Sequence, residues 1–386
     1  MESLLEEWDG ESAVARYDRP TGTWMFIAIH STRLGPAVGG TRMKTYPDPT
    51  TALRDALRLA AGMTYKFAVP GLPFGGGKAV LAIPSRLDPE ARPDLLRRYG
   101  ALVQQLGGTY RTAPDVGTSS EDMNIIAETG APYVFARTEE AGGSGSSGPA
   151  TALGVFTGIQ VACEHLFGDT ALTGRRVLVQ GAGSVGGKLI GHLVEAGAQV
   201  LFSEVDENAV RHFRDELGLE FVGNDGTLAS GPADGSANAP GTASCDTPGV
   251  TSLDPAGAAS IGEIATECDI FSPCALGAVL SEDTIPRLRC KAIVGGANNQ
   301  LATPEDEDSL QTRGILYAPD YVVNVGGAMA GLAMETRGVA REEAEREVVK
   351  NVGSVLKRIF ELAEANGITT GAAARRIAEE RLSAAE

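Results

Sequence analysis

The segment RRVLVQGAGSVGGKLIGHLVEAGAQVLFSEVD, residues 175–206, constrains the fold of this chain more than any other part of its sequence. An apolar run before Gly181 predicts a strand, the residues up to Val194 predict a helix, and a second apolar run before Glu204 predicts another strand. This order of elements is the βαβ unit of a doubly wound parallel sheet. We therefore expect an α/β protein that contains a Rossmann-type domain.

The turn of this unit carries glycines in a G-x-G-x-x-G pattern, which predicts a dinucleotide site. The first glycine permits a tight turn, the second lets the backbone approach a pyrophosphate, and the third allows the helix to pack closely on the strand. The helix amides then face the phosphates. The expected cofactor-binding residues here are Gly181, Ala182, Gly183, Ser184, Val185 and Gly186. The alternative is a glycine-rich turn that binds no ligand.

Two carboxylates at the end of the second strand bear on the choice of dinucleotide. Glu204 lies 18 residues beyond Gly186, where a carboxylate accepts hydrogen bonds from the adenosine ribose and repels a 2′-phosphate. Asp206 is a second candidate for this role. The sequence therefore predicts NAD as the cofactor in preference to NADP.

A second glycine-rich segment, GMTYKFAVPGLPFGGGK at residues 62–78, contains Lys66 and Lys78. The glycine triplet before Lys78 permits positive φ, so we expect the backbone to approach a ligand closely there and to aim the lysine into a cleft. Apolar neighbours and a second cation would lower the pKa of Lys78 toward neutrality, as a general base requires. The alternative is a pair of solvated lysines beside a flexible loop.

Composition and charge restrict the class of protein. A chain of 386 residues exceeds what one core usually organises, so we expect two domains. The net charge of −17 disfavours nucleic acid and anionic membranes as partners. Five cysteines without paired spacing, an acidic N-terminus and the absence of an apolar run of membrane length predict a cytoplasmic protein. Four scattered histidines predict no metal site.

Changes in composition divide the chain. Residues 141–151, AGGSGSSGPAT, are typical of a linker or hinge, so we expect a mixed α/β substrate-binding domain at 1–145 and the Rossmann domain at 146–335. Residues 223–260 have few large apolar groups and predict a flexible insertion, and residues 336–386 predict a C-terminal helical segment. Loops after two later strands make Cys274, Ala275, Gly295, Ala297 and Asn298 candidate nicotinamide contacts.

Seven motifs together resemble one known family. In chain order they are LGPAVGGTRM, GMTYKFAVPGLPFGGGKAVL, TAPDVGTSSEDM, VQGAGSVGG, DIFSPCALGAVL, GGANNQL and YAPDYVVNVGGAM. The chain resembles the amino acid dehydrogenases that act on glutamate, leucine, valine and phenylalanine, most closely the leucine and phenylalanine branches. The resemblance implies a homo-oligomer whose substrate and oligomerisation domain is separated from the NAD domain by a cleft that closes during turnover.

The resemblance also implies roles for individual residues. Lys78 stands at the position of the catalytic base, Asp115 handles protons on the substrate amine, and Lys66 holds the substrate carboxylate with help from Gly39 and Gly40. Further substrate contacts implied are Met63, Ala113, Asn298 and Ala328, and further cofactor contacts are Thr151, Cys274, Ala275, Asn298 and Asn324. The implied reaction converts an L-amino acid, NAD and water into a 2-oxo acid, ammonium and NADH.

The choice of amino acid stays open between two branches. Val38 stands where the glutamate branch has a lysine, so glutamate is disfavoured because its second carboxylate would be unpaired. Ala113 resembles the leucine type, Ala328 resembles the phenylalanine type, and Gly331 predicts extra room in the pocket. We expect leucine and its branched relatives, with phenylalanine second. A silent NAD-binding paralogue and a 2-hydroxy acid dehydrogenase are the other readings.

Overall fold

The structure is a computed structural model that describes residues 2–223, 226, 228–229, 261–275 and 277–385. The predicted insertion at 223–260 therefore lies almost entirely outside the described residues. The chain forms two compact units, which are described separately below. Unit 1 comprises Met1–Ser147, Met329–Ala344 and Arg375–Glu386, and unit 2 comprises Gly148–Ala328 and Glu345–Ala374.

Unit 1 is built, in its described part, on a five-stranded sheet. Its strands are β1 (Ser12–Asp18), β2 (Thr23–Ser31), β3 (Ala37–Lys44), β4 (Gly75–Ala82) and β5 (Tyr110–Pro114). The order across the sheet is β1-β2-β4-β3-β5. Strand β4 runs antiparallel to β2 and parallel to β3, which in turn runs parallel to β5. The residues that follow β3, β4 and β5 therefore lie at one edge of the sheet.

Four helices complete the first part of unit 1. They are α1 (Glu2–Glu6), α2 (Pro49–Ala68), α3 (Arg92–Gln105) and α4 (Ser120–Gly130). Helix α2 begins where the Asp48 side chain accepts a hydrogen bond from Thr51 N, with Pro49 at the first helical position. Its apolar face, which includes Leu53 and Leu57, packs in one core cluster with residues of β2 and β4. This packing fixes the last turn of α2, which carries Lys66.

Unit 2 contains a seven-stranded sheet within its described residues. Its strands are β6 (Arg176–Gln180), β7 (Gln199–Ser203), β8 (Glu220–Val222), β9 (Leu228–Ala229), β10 (Ile270–Pro273), β11 (Ala292–Ile293) and β12 (Leu316–Tyr317). The order is β12-β11-β10-β6-β7-β8-β9, and every neighbouring pair is parallel except β8 and β9. The strands can be renumbered from β6 in chain order, with the antiparallel β9 left out. Across the sheet from β8 to β12 they then have the order 3-2-1-4-5-6 of the dinucleotide-binding fold. The predicted fold class is confirmed.

The remaining α-helices of the described residues lie between Gly148 and Ser383. They are α5 (Gly148–Phe167), α6 (Gly186–Glu195), α7 (Glu207–Arg211), α8 (Ile261–Ile264), α9 (Asp306–Thr312), α10 (Asp320–Val323), α11 (Gly326–Arg337), α12 (Arg341–Asn366) and α13 (Thr370–Ser383). The segment 336–386 is not one separate body, because residues 345–374 belong to unit 2 and the residues on either side belong to unit 1.

The glycine-rich segment that was predicted as a linker is hydrogen-bonded into unit 1. Gly143 N donates to Thr138 O at 2.9 Å, and Ser144 N donates to Glu335 Oε1 at 3.0 Å. The boundary between the units follows at 147/148, two residues beyond the predicted one. The backbone of the predicted linker is therefore hydrogen-bonded to other parts of unit 1 as far as Ser144.

Helix α5 corrects the expectation that the chain has no segment of membrane length. By length and composition alone it could cross a membrane, with a mean hydropathy of 1.2 in its most apolar window. However, 61% of that window is buried inside the protein, and core helices of soluble proteins meet the same criterion. One such helix is weak evidence for a membrane span.

Candidate active site

The glycine triplet before Lys78 lies in strand β4 and not in a loop, and none of the three glycines has a positive φ. A Cβ on Gly75 would lie 1.8 Å from Ser31 O, and one on Gly76 would lie 2.1 Å from Thr64 N. The triplet therefore lets β4 pack tightly against its own protein neighbours, which corrects the expected reason for it. Lys78 is 5% exposed, so the alternative of a solvated lysine is wrong.

Three charged side chains meet beside this strand. Lys78 Nζ lies 3.1 Å from Asp115 Oδ2, and Arg42 Nε donates to the same oxygen at 2.9 Å. Lys78 comes from β4, Arg42 from β3, and Asp115 directly follows β5. Because β3 lies between the other two strands, the sheet brings together residues that are up to 73 positions apart. The exposed fractions of the three side chains are 6%, 15% and 18%.

The electrostatics of this cluster lower the pKa of the lysine and keep the carboxylate ionised. Burial lowers the pKa of Lys78, and the positive charge of Arg42 lowers it further, although Asp115 opposes both effects. Burial alone would raise the pKa of Asp115, but Lys78 and Arg42 together lower it to about 2. While Lys78 is charged, Asp115 is therefore ionised at neutral pH, and Lys78 releases its proton more readily than an ordinary lysine does.

Arg42 is itself held by a second carboxylate. Its Nη1 donates to Asp55 Oδ2 at 3.1 Å, and that oxygen also accepts a hydrogen bond from Tyr46 Oη at 2.7 Å. Arg58 donates to the other oxygen of Asp55 at 2.9 Å. The sequence analysis missed Arg42 and Asp55. The available signal was the alternation of β3, which puts Arg42 on the same face as Gly40, a glycine already assigned to the site.

Several predicted substrate residues pack around the same cluster. A Cβ on Gly39 would lie 1.7 Å from Gly77 O, and a Cβ on Gly40 would lie 2.8 Å from Asp115 Cβ. Ala113 pairs with Gly40 in the β3–β5 register. The structure therefore brings Gly39, Gly40, Ala113, Asp115 and Lys78 together, and both glycines are required by the close approach of their neighbours.

Lys66 and Met63 lie in the last two turns of α2 and are half-buried. Between them in the sequence, Thr64 is the residue that Gly76 of β4 approaches. The contact between α2 and β4 thus couples the placement of Lys66 to that of Lys78. Ala328 is half-buried and belongs to unit 2. The room predicted at Gly331 is partly filled, because a Cβ there would lie 3.1 Å from Ser144 Oγ.

The G-x-G-x-x-G turn in unit 2 fits a dinucleotide. Gly181 has a φ of +88°, and a Cβ on Gly186 would lie 1.8 Å from Gly181 O, so both glycines are required by the turn. A Cβ on Gly183 would meet nothing within 4 Å, and Gly183 and Ser184 are exposed. Helix α6 begins directly at Gly186. This open backbone in front of a helix N-terminus is the cradle that a pyrophosphate needs.

The two candidate ribose carboxylates have different environments. Glu204 follows β7, and its carboxylate accepts hydrogen bonds from Ala182 N at 2.7 Å and Val205 N at 2.6 Å. Its position beside the glycine turn suits contact with a ribose. Asp206 is engaged as the N-cap of α7, where it accepts from Asn208 N and Ala209 N. Glu204 is therefore the better candidate.

Most of the other predicted cofactor contacts follow β10 or β11 in the chain. Ala275 lies against the turn, since a Cβ on Gly181 would come 2.7 Å from Ala275 Cβ. Asn324 Nδ2 donates to Asn298 Oδ1 at 2.9 Å. Burial raises the pKa of the Cys274 thiol, which argues against a thiolate nucleophile. Thr151 is buried on α5, and Gly295 and Ala297 contact Pro273.

Comparisons with known proteins agree with this arrangement. The sequence model described as "Glu/Leu/Phe/Val dehydrogenase, dimerisation domain" matches residues 19–131, and the one described as "Glutamate/Leucine/Phenylalanine/Valine dehydrogenase" matches residues 142–386. A leucine dehydrogenase of Thermoactinomyces intermedius is 41% identical, over 98% of this chain and 92% of the relative. A valine dehydrogenase of Streptomyces virginiae is also 41% identical, over 97% and 94% of the two chains.

A solved structure supports the same assignment over the whole chain. The L-tryptophan dehydrogenase of Nostoc punctiforme has a TM-score of 0.76 and 34% identity to this protein, with 100% of this chain and 99% of the other covered. The family models account for nearly all of the sequence, and both halves of the family's fold are present in the structure. The chain therefore belongs to the Glu/Leu/Phe/Val dehydrogenase family and is an amino acid dehydrogenase that uses a nicotinamide dinucleotide.

Proposed function

We propose that this protein catalyses the reversible, NAD-dependent oxidative deamination of an apolar L-amino acid, with leucine and its branched relatives preferred. The observation that carries the proposal is the buried Lys78 amine 3.1 Å from the Asp115 carboxylate. A base in deamination must be neutral before it acts, and burial beside Arg42 favours that state of Lys78.

Each residue of unit 1 has a physical task in this reaction. The Lys66 cation binds the substrate carboxylate, with the backbone of Gly39 and Gly40 beside it, and so orients Cα. Asp115 accepts a proton from the substrate ammonium, which leaves a neutral amine. The bound dinucleotide supplies the acceptor for the Cα hydride. Lys78 then removes a proton from the water that attacks the imine carbon, and proton return to nitrogen releases ammonium.

The charges of the cluster make these proton steps consistent with each other. While Lys78 is charged, two cations keep the pKa of Asp115 at about 2, where it is a very weak base. When Lys78 loses its proton, Arg42 is the cation that remains in contact with the Asp115 carboxylate, so the affinity of that carboxylate for a proton rises. The neutral lysine that water activation requires is therefore also the state in which Asp115 can accept a proton.

The preference for branched apolar substrates is supported by the relatives and by Val38. Val38 is 4% exposed and brings no cation to the position that would meet a second substrate carboxylate. The curated relatives named above are a leucine and a valine dehydrogenase. Phenylalanine is the second candidate, because Ala328 is of the phenylalanine type and a full-length structural relative is a tryptophan dehydrogenase.

NAD is the proposed dinucleotide because of the Glu204 carboxylate next to the phosphate turn, where a 2′-phosphate would be repelled. We further propose a homo-oligomer, since the matched N-terminal model is that of a dimerisation domain. A cytoplasmic location is supported by the free cysteines of the described residues, Cys163, Cys268, Cys274 and Cys290.

The test is NAD and NADP reduction at 340 nm, at pH about 10 where much of the substrate amine is deprotonated, with leucine, valine, phenylalanine, tryptophan and glutamate. We expect turnover with NAD that is highest for leucine or valine. Lys78→Ala should abolish turnover and leave NADH binding within a few-fold, whereas the exposed-lysine control Lys291→Ala should retain both. Activity in Lys78→Ala would refute the role of the base. Highest turnover with phenylalanine would move the proposal to the aromatic branch.

A further inference from the structure

Arg42 contacts two carboxylates of the charged cluster. Its side chain joins Asp115 at 2.9 Å to Asp55 at 3.1 Å, and it is 15% exposed. Arginine stays protonated at every working pH, whereas the pKa of Lys78 is lowered. Arg42 is therefore a permanent positive charge close to the Lys78 amine, which must lose its proton, and with it its positive charge, before it can act as a base.

We propose that Arg42 is a positioning residue of the active site: anchored by Asp55, it holds the Asp115 carboxylate beside Lys78 and favours the neutral form of that amine. The proposal rests on the proposed function, because it assumes that Lys78 is the base. It adds a residue that acts through Lys78 and Asp115 and that does not itself touch the reacting atoms.

The geometry gives the strength of the effect. Arg42 Nε and Lys78 Nζ cannot be more than about 6 Å apart, since both contact Asp115 Oδ2, at 2.9 and 3.1 Å. At that separation the positive charge of Arg42 acts directly on the amine, so its loss should raise the pH at which Lys78 loses its proton. At a pH well below the pKa of Lys78, each pH unit of that rise lowers the fraction of neutral lysine about tenfold.

The other charges that face Lys78 have different signs, which makes the inference testable. Asp115, after β5, and Asp55, on α2, both favour the charged amine, whereas Arg42, on β3, disfavours it. Tyr46 and Arg58 contact Asp55 and not the amine. Removing Arg42 and neutralising Asp55 should therefore move the titration of Lys78 in opposite directions.

The experiment compares the pH dependence of kcat/KM from pH 7 to 11 in the full-length wild type and in Arg42→Gln, Arg42→Lys, Asp55→Asn and Arg58→Gln. For Arg42→Gln we expect an activity loss that is about ten- to hundredfold larger at pH 8 than at pH 10.5. Asp55→Asn should move the profile to lower pH. Arg42→Lys, which restores the charge, should return the profile toward the wild-type position at a reduced kcat.

Arg58→Gln is the matched control, because Arg58 binds the same Asp55 from the solvent side and is 55% exposed. It should keep the wild-type profile. A uniform loss of activity at every pH in an Arg42→Gln protein that still binds NADH would show a purely structural role and overturn the proposal, as would an unchanged profile. If Arg42→Gln does not bind NADH, Arg42→Met, which keeps the length of the side chain without its charge, decides by the same two criteria. An inactive wild type would instead refute the proposed function itself.

Discussion

Replacing Gly76 with alanine would place a methyl group inside the backbone of helix α2. The new Cβ would lie 2.1 Å from Thr64 N and 2.2 Å from Thr64 Oγ1. No rotamer change relieves a contact with a backbone nitrogen, so α2 must move away from β4 by about 1 Å or more to reach an ordinary separation. Such overpacking costs about 1–3 kcal/mol of folding free energy.

The displaced helix would also weaken a hydrogen bond of Thr64. Thr64 Oγ1 lies 2.8 Å from His30 Nδ1, and loss of this bond adds about 1 kcal/mol. We therefore expect Gly76→Ala to lower the free energy of unfolding by about 2–4 kcal/mol. In a chain of 386 residues, that corresponds to a fall of about 2–5 °C in the thermal midpoint.

The assay is thermal unfolding at one fixed scan rate, combined with kcat for the amino acid. Because Lys78 follows two residues later on β4, a shift of the strand should lower kcat at least about tenfold. Gly62→Ala is the matched control in the same helix, since its Cβ would meet nothing within 4 Å. It should raise stability by about 0.5–1 kcal/mol. A Gly76→Ala protein that melts and turns over like the wild type would show that close packing is not the reason for the triplet.

Two further predictions concern the cofactor and the C-terminal helix. Glu204→Ser should lower the ratio of NAD-dependent to NADP-dependent activity. Asp206→Asn keeps an N-cap on α7 but loses the charge, so it should leave that ratio unchanged. The reverse result would assign the discrimination between the two cofactors to Asp206. Arg381 Nη1 donates to Ala68 O at 2.7 Å at the end of α2, so Arg381→Ala should raise the amino acid KM several-fold, with NADH affinity unchanged. The surface variant Arg376→Ala should leave KM alone, and an equal rise in both variants would contradict the effect.

The parts of the structure that local sequence determines were predictable. The turn at Gly181 is specified by a strand, a helix and three glycines within a short stretch, and its conformation agrees with the expectation. Lys78 and Asp115 were identified through motifs, although their 3.1 Å contact depends on the strand order. That order cannot be read from either motif alone.

The features that the sequence did not predict correctly depend on strand register or on contacts between residues far apart in the chain. The glycine triplet was expected to approach a ligand because its packing partners, Ser31 on β2 and Thr64 on α2, could not be known from the sequence. Arg42 was missed because the partner that gives it meaning, Asp115, lies 73 residues away. The division of the C-terminal segment followed from contacts such as Arg381 with Ala68, which are 313 residues apart.

That last contact has a consequence for how the protein is made on the ribosome. Unit 1 consists mainly of the first 147 residues, yet residues 375–386 also belong to it. Helix α2 is synthesised early, and its contact with Arg381 can form only after 313 further residues have been translated. Until then the carbonyl groups of Ala68 and Val69 at its carboxyl end lack this partner. Unit 1 can reach its final form only after unit 2 has been synthesised, although its own sheet comes first.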